Sequence, residues 1–330
     1  MRFIIYGAGA IGSTIGGHLF RTGYSVVMVA NPRHVDKIWE SGLRLVTPAE
    51  TYILKVPAYK KAEEIAPFQA DDVVLLTAKS QHTLICLAQL KNAGAPRTLP
   101  IFCVQNSICN ESLATRIFDR VYGGLLQVPG IFLEPGTVIN PITGNVGFIE
   151  VGLYPRGLDS LARAVAGALK EAGFAGGVNE WVMRSKATKC LLNLGNAMGA
   201  ITDGRGDSNA FMAEARREAT TVWSAAGIEW EDLDSYNKRI RAGRGTTKMP
   251  KGYESQRNLG SSWQSLMRGT GNIEAEELNG DIVKLGRLLG IPTPYNELLW
   301  HLADEMAAKK EKPGKYTAEE LMEMVKKRST

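Results

Sequence analysis

Cysteine and histidine are scarce, with four of each in 330 residues. Cys86, Cys103, Cys109 and Cys190 form no CxxC pair and stand at no metal-ligand spacing to His18, His34, His82 or His301. That excludes a zinc or iron–sulfur centre, and no metal is expected. Long apolar runs are missing as well, since none approaches the ~18 residues that a membrane span needs. Neither sign of charge dominates: a formal net charge of +5 favours a small anionic ligand without demanding a polyanion. The basic stretch from Lys238 to Gly260 lacks interleaved aromatics apart from Tyr253, so it reads as a solvated loop insertion rather than a nucleic-acid surface. Met1-Arg2 runs directly into a first strand without a basic leader, and a cytoplasmic location is expected.

What is present starts at the amino terminus. Phe3 to Gly12 is an apolar run that breaks into Gly7, Gly9 and Gly12, then continues as a helix from Ser13 to Arg21. A strand feeding such a turn is a dinucleotide-binding fingerprint, in which Gly7 serves the tight turn, Gly9 the approach to a pyrophosphate and Gly12 the helix–strand packing. Gly7, Gly9, Ala10, Ile11 and Gly12 are therefore expected to line the cofactor, with the positive end of the helix aimed at its phosphates. Past the second strand, where a free ribose 2′-hydroxyl usually meets an acidic side chain, stands Ala30-Asn31-Pro32-Arg33. Asn31 and Arg33 suit a 2′-phosphate, so NADP(H) is expected over NAD(H).

The first half alternates strand and helix: Phe3 to Tyr6, Ser25 to Ala30, Val73 to Thr77 and Ile101 to Val104 predict a parallel sheet buried on both faces. Shorter strands follow at Tyr122 to Phe132, Thr137 to Asn140 and Val146 to Val151, then a helix carrying Leu158, Leu161, Val165 and Leu169. Beyond Gly176-Gly177 the pattern is helical over Trp181 to Ile201, Asn209 to Ala226, Ile273 to Leu289 and Asn296 to Lys309. The fold class expected is α/β, a Rossmann-type doubly wound, mainly parallel sheet over 1–178 followed by an all-helical domain over 179–330. The charged tail from Lys309 is expected to pack loosely, and Arg205-Gly206-Asp207 to be a turn with Asp207 or Ser208 capping the next helix. The apolar helical domain leaves room for a homodimer.

Lys189, Asn193 and Asn196 stand at i, i+4 and i+7, on one face of an otherwise apolar helix. Such a stripe is costly unless something hydrogen-bonds to it, and a substrate is a candidate. A second set follows in Glu274 and Asn279-Gly280, which a regular helix places on different faces, with Leu278, Ile282, Leu285 and Leu289 as the buried stripe and Glu277, Asp281 and Lys284 on the solvated side. Ser261 to Leu266 offers hydroxyls and an amide that suit a carboxylate.

Taken together these motifs resemble the ketopantoate reductase family: Gly7 to Gly12, Lys79 after the third strand, Gln105-Asn106 after the fourth, Lys189-x3-Asn193, and Glu274-x4-Asn279-Gly280. The resemblance covers nearly the whole chain. It implies a two-domain reductase with its site in the interdomain cleft, in which NADPH delivers its pro-S hydride to the C2 ketone of 2-dehydropantoate and (R)-pantoate forms for pantothenate and coenzyme A synthesis. Lys189 would be the general acid and Glu274 would orient it or bond the substrate. Asn193 and Ser262 would hold hydroxyl and carboxylate, while Asn106 and Lys79 would lie beside the nicotinamide. Two positions depart from the family pattern: Ser107 stands where glycine is usual, and Leu259, next to Asn258, where asparagine is frequent. The same fold would serve an NADP-dependent reductase of another 2-oxo or 3-hydroxy acid, whereas a non-enzymatic NADP-binding sensor has no need of Lys189.

Overall fold

In a computed structural model the described residues are 1–254, 260–269 and 271–328, so Asn258 and Leu259 lie outside them. The chain begins β1 (Arg2–Tyr6), α1 (Ala10–Arg21), β2 (Ser25–Val29), α2 (Pro32–Ser41), β3 (Leu43–Val46), β4 (Thr51–Leu54) and β5 (Ala58–Tyr59). It continues with β6 (Asp72–Leu76), α3 (Thr83–Asn92), β7 (Ile101–Cys103), α4 (Asn110–Ala114), β8 (Val121–Gln127), β9 (Thr137–Ile139), β10 (Ile142–Thr143), β11 (Phe148–Leu153), α5 (Ser160–Glu171) and β12 (Ala175–Val178). Eight strands form one sheet in the order β12-β11-β8-β7-β6-β1-β2-β5, parallel except where β11 meets β8.

Alternation along each strand builds two cores. Phe3, Ile5, Val26, Met28, Val73 and Leu75 pack with Ile15, Leu19, Val165 and Leu169 of α1 and α5. Ile4, Tyr6, Val27, Val29, Val74 and Leu76 turn the other way, onto Leu87 and Leu90 of α3 and onto Ala114 and Phe118. A sheet covered on both faces explains why these strands read as continuous apolar runs. β1 lies between β2 and β6, so the chain reverses its direction of travel across the sheet there. Crevices at such reversals, beyond the carboxyl ends of the strands, are where doubly wound sheets bind ligands.

The rest comprises α6 (Val182–Asn193), α7 (Gly195–Thr202), α8 (Asn209–Ala225), α9 (Leu233–Gly243), β13 (Thr246–Thr247), α10 (Ser261–Arg268), α11 (Asp281–Leu289), α12 (Pro294–Ala308) and α13 (Ala318–Arg328). Packing divides the chain into Met1–Lys186 with Asp232–Asn258, and Ala187–Glu231 with Leu259–Thr330. The expected division after 178 therefore differs from the packed one in two ways. The chain changes units within α6, and a later segment returns to the first unit.

That returning segment is not the loop expected from Lys238 on. Asp232 caps α9 by accepting from the Ser235 N–H at 2.8 Å, and Tyr236 and Ile240 bury its inner face. The Tyr236 hydroxyl accepts from Gln127, Arg239 pairs with Glu150, and β13 pairs with β10. Its inner face contributes only two apolar positions, so the helical pattern was faint in the sequence. The tail is also better packed than expected, because Ala318, Leu321 and Val325 of α13 are buried. At Arg205-Gly206-Asp207 the turn is observed, with Asp207 accepting from the Asn209 N–H at 3.0 Å and its own N–H bonded to Glu319.

Candidate active site

The candidate cofactor end is built by the three glycines. Gly7 has φ +96°, and a Cβ there would lie 2.4 Å from the Ala78 nitrogen; at Gly12 it would lie 2.4 Å from Thr77 Oγ1. Both positions exclude any other residue. At Gly9, the amino-terminal cap of α1, nothing lies within 4 Å of that point and no side chain caps the helix. An anion can therefore approach the α1 N–H groups closely, which is the fit a pyrophosphate requires.

A buried histidine props this turn. The Gly136 N–H donates to His34 Nδ1 at 2.8 Å, so the ring proton sits on Nε2, facing Ser13 Oγ at 3.0 Å, and Ser13 Oγ donates to the Ala8 carbonyl. Burial pushes the His34 pKa down to about 4, which keeps the ring neutral at physiological pH. Sequence spacing gave no sign of this role, because Gly136 is 102 residues away.

Lys79 and Asn106 follow β6 and β7 at the same sheet edge, and both are half-buried. A polar net joins their loops. Ser80 Oγ and Asn110 Nδ2 donate to the Asn106 carbonyl at 3.0 and 2.7 Å, Gln105 Nε2 donates to the Ala78 carbonyl and to Thr83 Oγ1, and Thr83 Oγ1 donates to Asn110 Oδ1. Gln105 thus clips the two loops together and leaves Asn106 as the half-buried member. Ser107, φ +70°, explains the glycine usual there: the turn is left-handed, and Ser107 Oγ compensates by accepting from the Cys109 N–H at 3.2 Å.

Beyond β2, Asn31 and Arg33 are exposed. Asn31 caps α2 by accepting from the Arg33 N–H at 3.0 Å, so its amide nitrogen is what remains to reach a ligand. The nearest acid, Asp36, is paired with Lys60 at 2.6 Å.

The second unit carries the other candidates. Lys189 and Asn193 are half-buried on α6. The helix expected over Trp181 to Ile201 is divided at Leu194, whose dihedrals remain helical and whose N–H still donates to the Cys190 carbonyl at 2.9 Å, so α6 runs on into α7 with Asn196 in its first turn. A Cβ on Gly260 would lie 3.5 Å from Asn196 Oδ1, which puts Asn196 beside the start of α10. Among the described residues that start has no side-chain cap, and the Ser262 hydroxyl two residues on is buried without a hydrogen-bond partner. A carboxylate would satisfy both.

Glu274 and Asn279 are buried, and the segment between them is not a regular helix. Glu276–Gly280 is a π-turn, closed by the Gly280 N–H on the Ala275 carbonyl at 2.9 Å. With about one residue more per turn than an α-helix, it brings residues five apart toward one face, which a regular period had set apart. Of the expected stripe Leu278 and Ile282 are buried, Leu285 is half-buried and Leu289 exposed; Val283 and Gly286 are buried instead, and Glu277 Oε2 is covered rather than solvated. Among the described residues no cluster of His, Cys, Asp and Glu could hold a metal ion, and no helix is long and apolar enough to cross a membrane.

Sequence profiles of the family described as ketopantoate reductase PanE/ApbA match residues 3–155, and its carboxyl-terminal counterpart matches residues 182–307. The chain belongs to this family. Among curated relatives, the 2-dehydropantoate 2-reductase of Pyrococcus horikoshii is 28% identical over 92% of this chain and 96% of its own length. Among solved structures, a PanE/ApbA family ketopantoate reductase from Ralstonia eutropha is 29% identical, covers 94% of this chain and 99% of its own, and superposes with a TM-score of 0.77. A D-mandelate dehydrogenase solved with NADH and anilino(oxo)acetate has a TM-score of 0.78 at 21% identity, covering 94% and 99%, and shares the fold. As a ketopantoate reductase family member the chain is an oxidoreductase of the nicotinamide-dependent, Rossmann-type class.

Proposed function

We propose that the protein reduces 2-dehydropantoate to (R)-pantoate with NADPH. Family membership across both units carries this reading. NADPH supplies the hydride that reaches the C2 carbonyl carbon. The α1 amino terminus beyond Gly7, Gly9 and Gly12, with Ala10 and Ile11, would hold the pyrophosphate. Asn31 and Arg33 would hold the 2′-phosphate, a preference supported by the pairing of Asp36 with Lys60. Lys79 and Asn106 would flank the nicotinamide.

The C2 oxygen becomes an alkoxide as the carbon is reduced. Lys189 stabilises that charge as an ammonium and donates its proton to the oxygen, a contribution of about 10²- to 10⁴-fold. Glu274 orients the ammonium. Ser262 and the uncapped start of α10 take the carboxylate, and Asn193 holds a hydroxyl. The setting is the cytoplasm and the assembly a homodimer. Light scattering tests the dimer.

A second reading keeps the chemistry and changes the acid. The fold alone also serves a mandelate dehydrogenase, and Leu259 stands in the sequence where the family often has asparagine. Steady-state kinetics across 2-dehydropantoate and several bulkier 2-oxo acids decide it. The proposal expects the highest kcat/KM with 2-dehydropantoate; a better aryl-substituted acid would favour the second reading.

A further inference from the structure

Glu218 is an acid in an apolar stripe. It follows Phe211, Met212 and Ala215 and precedes Ala219 and Val222 on the buried face of α8, and it is only 3% exposed. Its carboxylate reaches the start of α12. Oε1 accepts from the Tyr295 N–H at 2.9 Å, and Oε2 from the Asn296 N–H at 3.0 Å and from Asn296 Nδ2 at 2.7 Å. Thr293, the residue in the capping position, makes no side-chain cap bond, so Glu218 caps α12 from another helix.

The bonds continue. Asn296 Nδ2 also donates to the Ala215 carbonyl at 2.8 Å, which fixes the amide's orientation and turns Oδ1 toward Asn279. Asn279 Nδ2 donates to that Oδ1 at 3.0 Å and to the Leu194 carbonyl at 3.4 Å. Leu194 is the junction between α6 and α7, flanked by Asn193 on one side and by Gly195 and Asn196 on the other. Asn279 sits in the π-turn, five residues past Glu274. One buried chain of hydrogen bonds therefore joins the helix junction bearing two substrate candidates to the turn that follows Glu274.

We propose that Glu218 and Asn296 are positioning residues: acting through Asn279, they hold the α6–α7 junction in register with the π-turn, and so set Asn193, Asn196 and Glu274 for substrate. This rests on the reading of those residues as the substrate site. Glu218 supplies both oxygens that meet the Tyr295 and Asn296 N–H groups, so glutamine, with one carbonyl oxygen, leaves one of them facing a donor. A misplacement of about 1 Å at substrate-binding groups is enough to cost on the order of 10²-fold in rate.

The test uses the full-length enzyme with Glu218→Gln, Asn279→Ser and the double variant. kcat and KM for 2-dehydropantoate, NADPH affinity and amide hydrogen exchange across 190–200 are measured below the unfolding temperature. The expected result is a kcat lowered by about 10- to 100-fold in either single variant, with NADPH affinity unchanged. The double variant should be no slower than the worse single, because both act on one chain of bonds. Exchange over 194–198 should quicken by about tenfold. Unchanged kcat, multiplicative losses in the double variant, or unmoved exchange over 194–198 would overturn the proposal. Should Glu218→Gln not fold, Asn279→Ser leaves the α12 cap intact and carries the test. If the wild-type enzyme ignores 2-dehydropantoate, the substrate reading has failed, and the exchange result still decides the positioning role.

Discussion

Lys186 Nζ lies 2.5 Å from Glu111 Oε1 and donates to the Cys103 carbonyl at 3.0 Å, with the two side chains 2% and 0% exposed. Lys186 is one turn before Lys189, yet it is engaged entirely within the first unit. Burial pushes the Glu111 carboxyl above its ordinary pKa, opposed by the ammonium beside it. Removing one partner strands a buried charge. Glu111→Leu or Lys186→Met alone should cost about 3–5 kcal/mol, while the double replacement should lie near the wild type. Urea unfolding measures this; single-variant losses below about 1 kcal/mol would contradict the pair's buried character.

Ser107 should respond to backbone shape rather than to lost contacts. Its φ of +70° is tolerated by serine, helped by the bond from the Cys109 N–H, and is out of reach for a β-branched residue. Ser107→Gly should leave stability within about 1 kcal/mol, whereas Ser107→Val should lose about 2 kcal/mol or more. Thermal unfolding that ranked valine with glycine would refute the strain.

Glu277 gives a pH signature. Burial, together with Glu276, Glu274 and Asp281, pushes its carboxyl up to about 7 from 4.5. The folded state therefore binds this proton more tightly than the unfolded state. Its contribution is fully present below pH 4.5 and is lost as the pH rises through about 7. Glu277→Gln should raise Tm over the wild type at pH 8 and give no gain at pH 4. An equal difference at both values would contradict the shift.

Arg33 tests the cofactor preference. Loss of a charged, forked contact to a 2′-phosphate should weaken NADPH binding by about 10- to 100-fold and leave NADH nearly untouched. Fluorescence titration of Arg33→Ala with both cofactors separates the outcomes, and equal weakening would remove the 2′-phosphate role.

Local signals made the first unit legible. The strands at Phe3, Ser25, Val73 and Ile101 announced themselves as apolar runs because both sheet faces are covered, and the glycine turn because Gly7 and Gly12 leave no room for a side chain while Gly9 leaves the helix start open. Features settled by distant partners were hidden. α9 contributes only Tyr236 and Ile240 to the core, and His34 is defined by Gly136. The π-turn over Glu276–Gly280 departs from the regular helical period, which the sequence does not reveal, and Glu277 Oε2 is covered there. Glu218 alone carried a readable sign, an acid at a stripe position where the neighbours are apolar.

The central claim is that Lys189 delivers the proton. kcat with 2-dehydropantoate and NADPH affinity, measured side by side for Lys189→Ala, test it most directly. The account predicts a kcat lowered by about 10²- to 10⁴-fold with NADPH binding intact; turnover near the wild-type rate would contradict it.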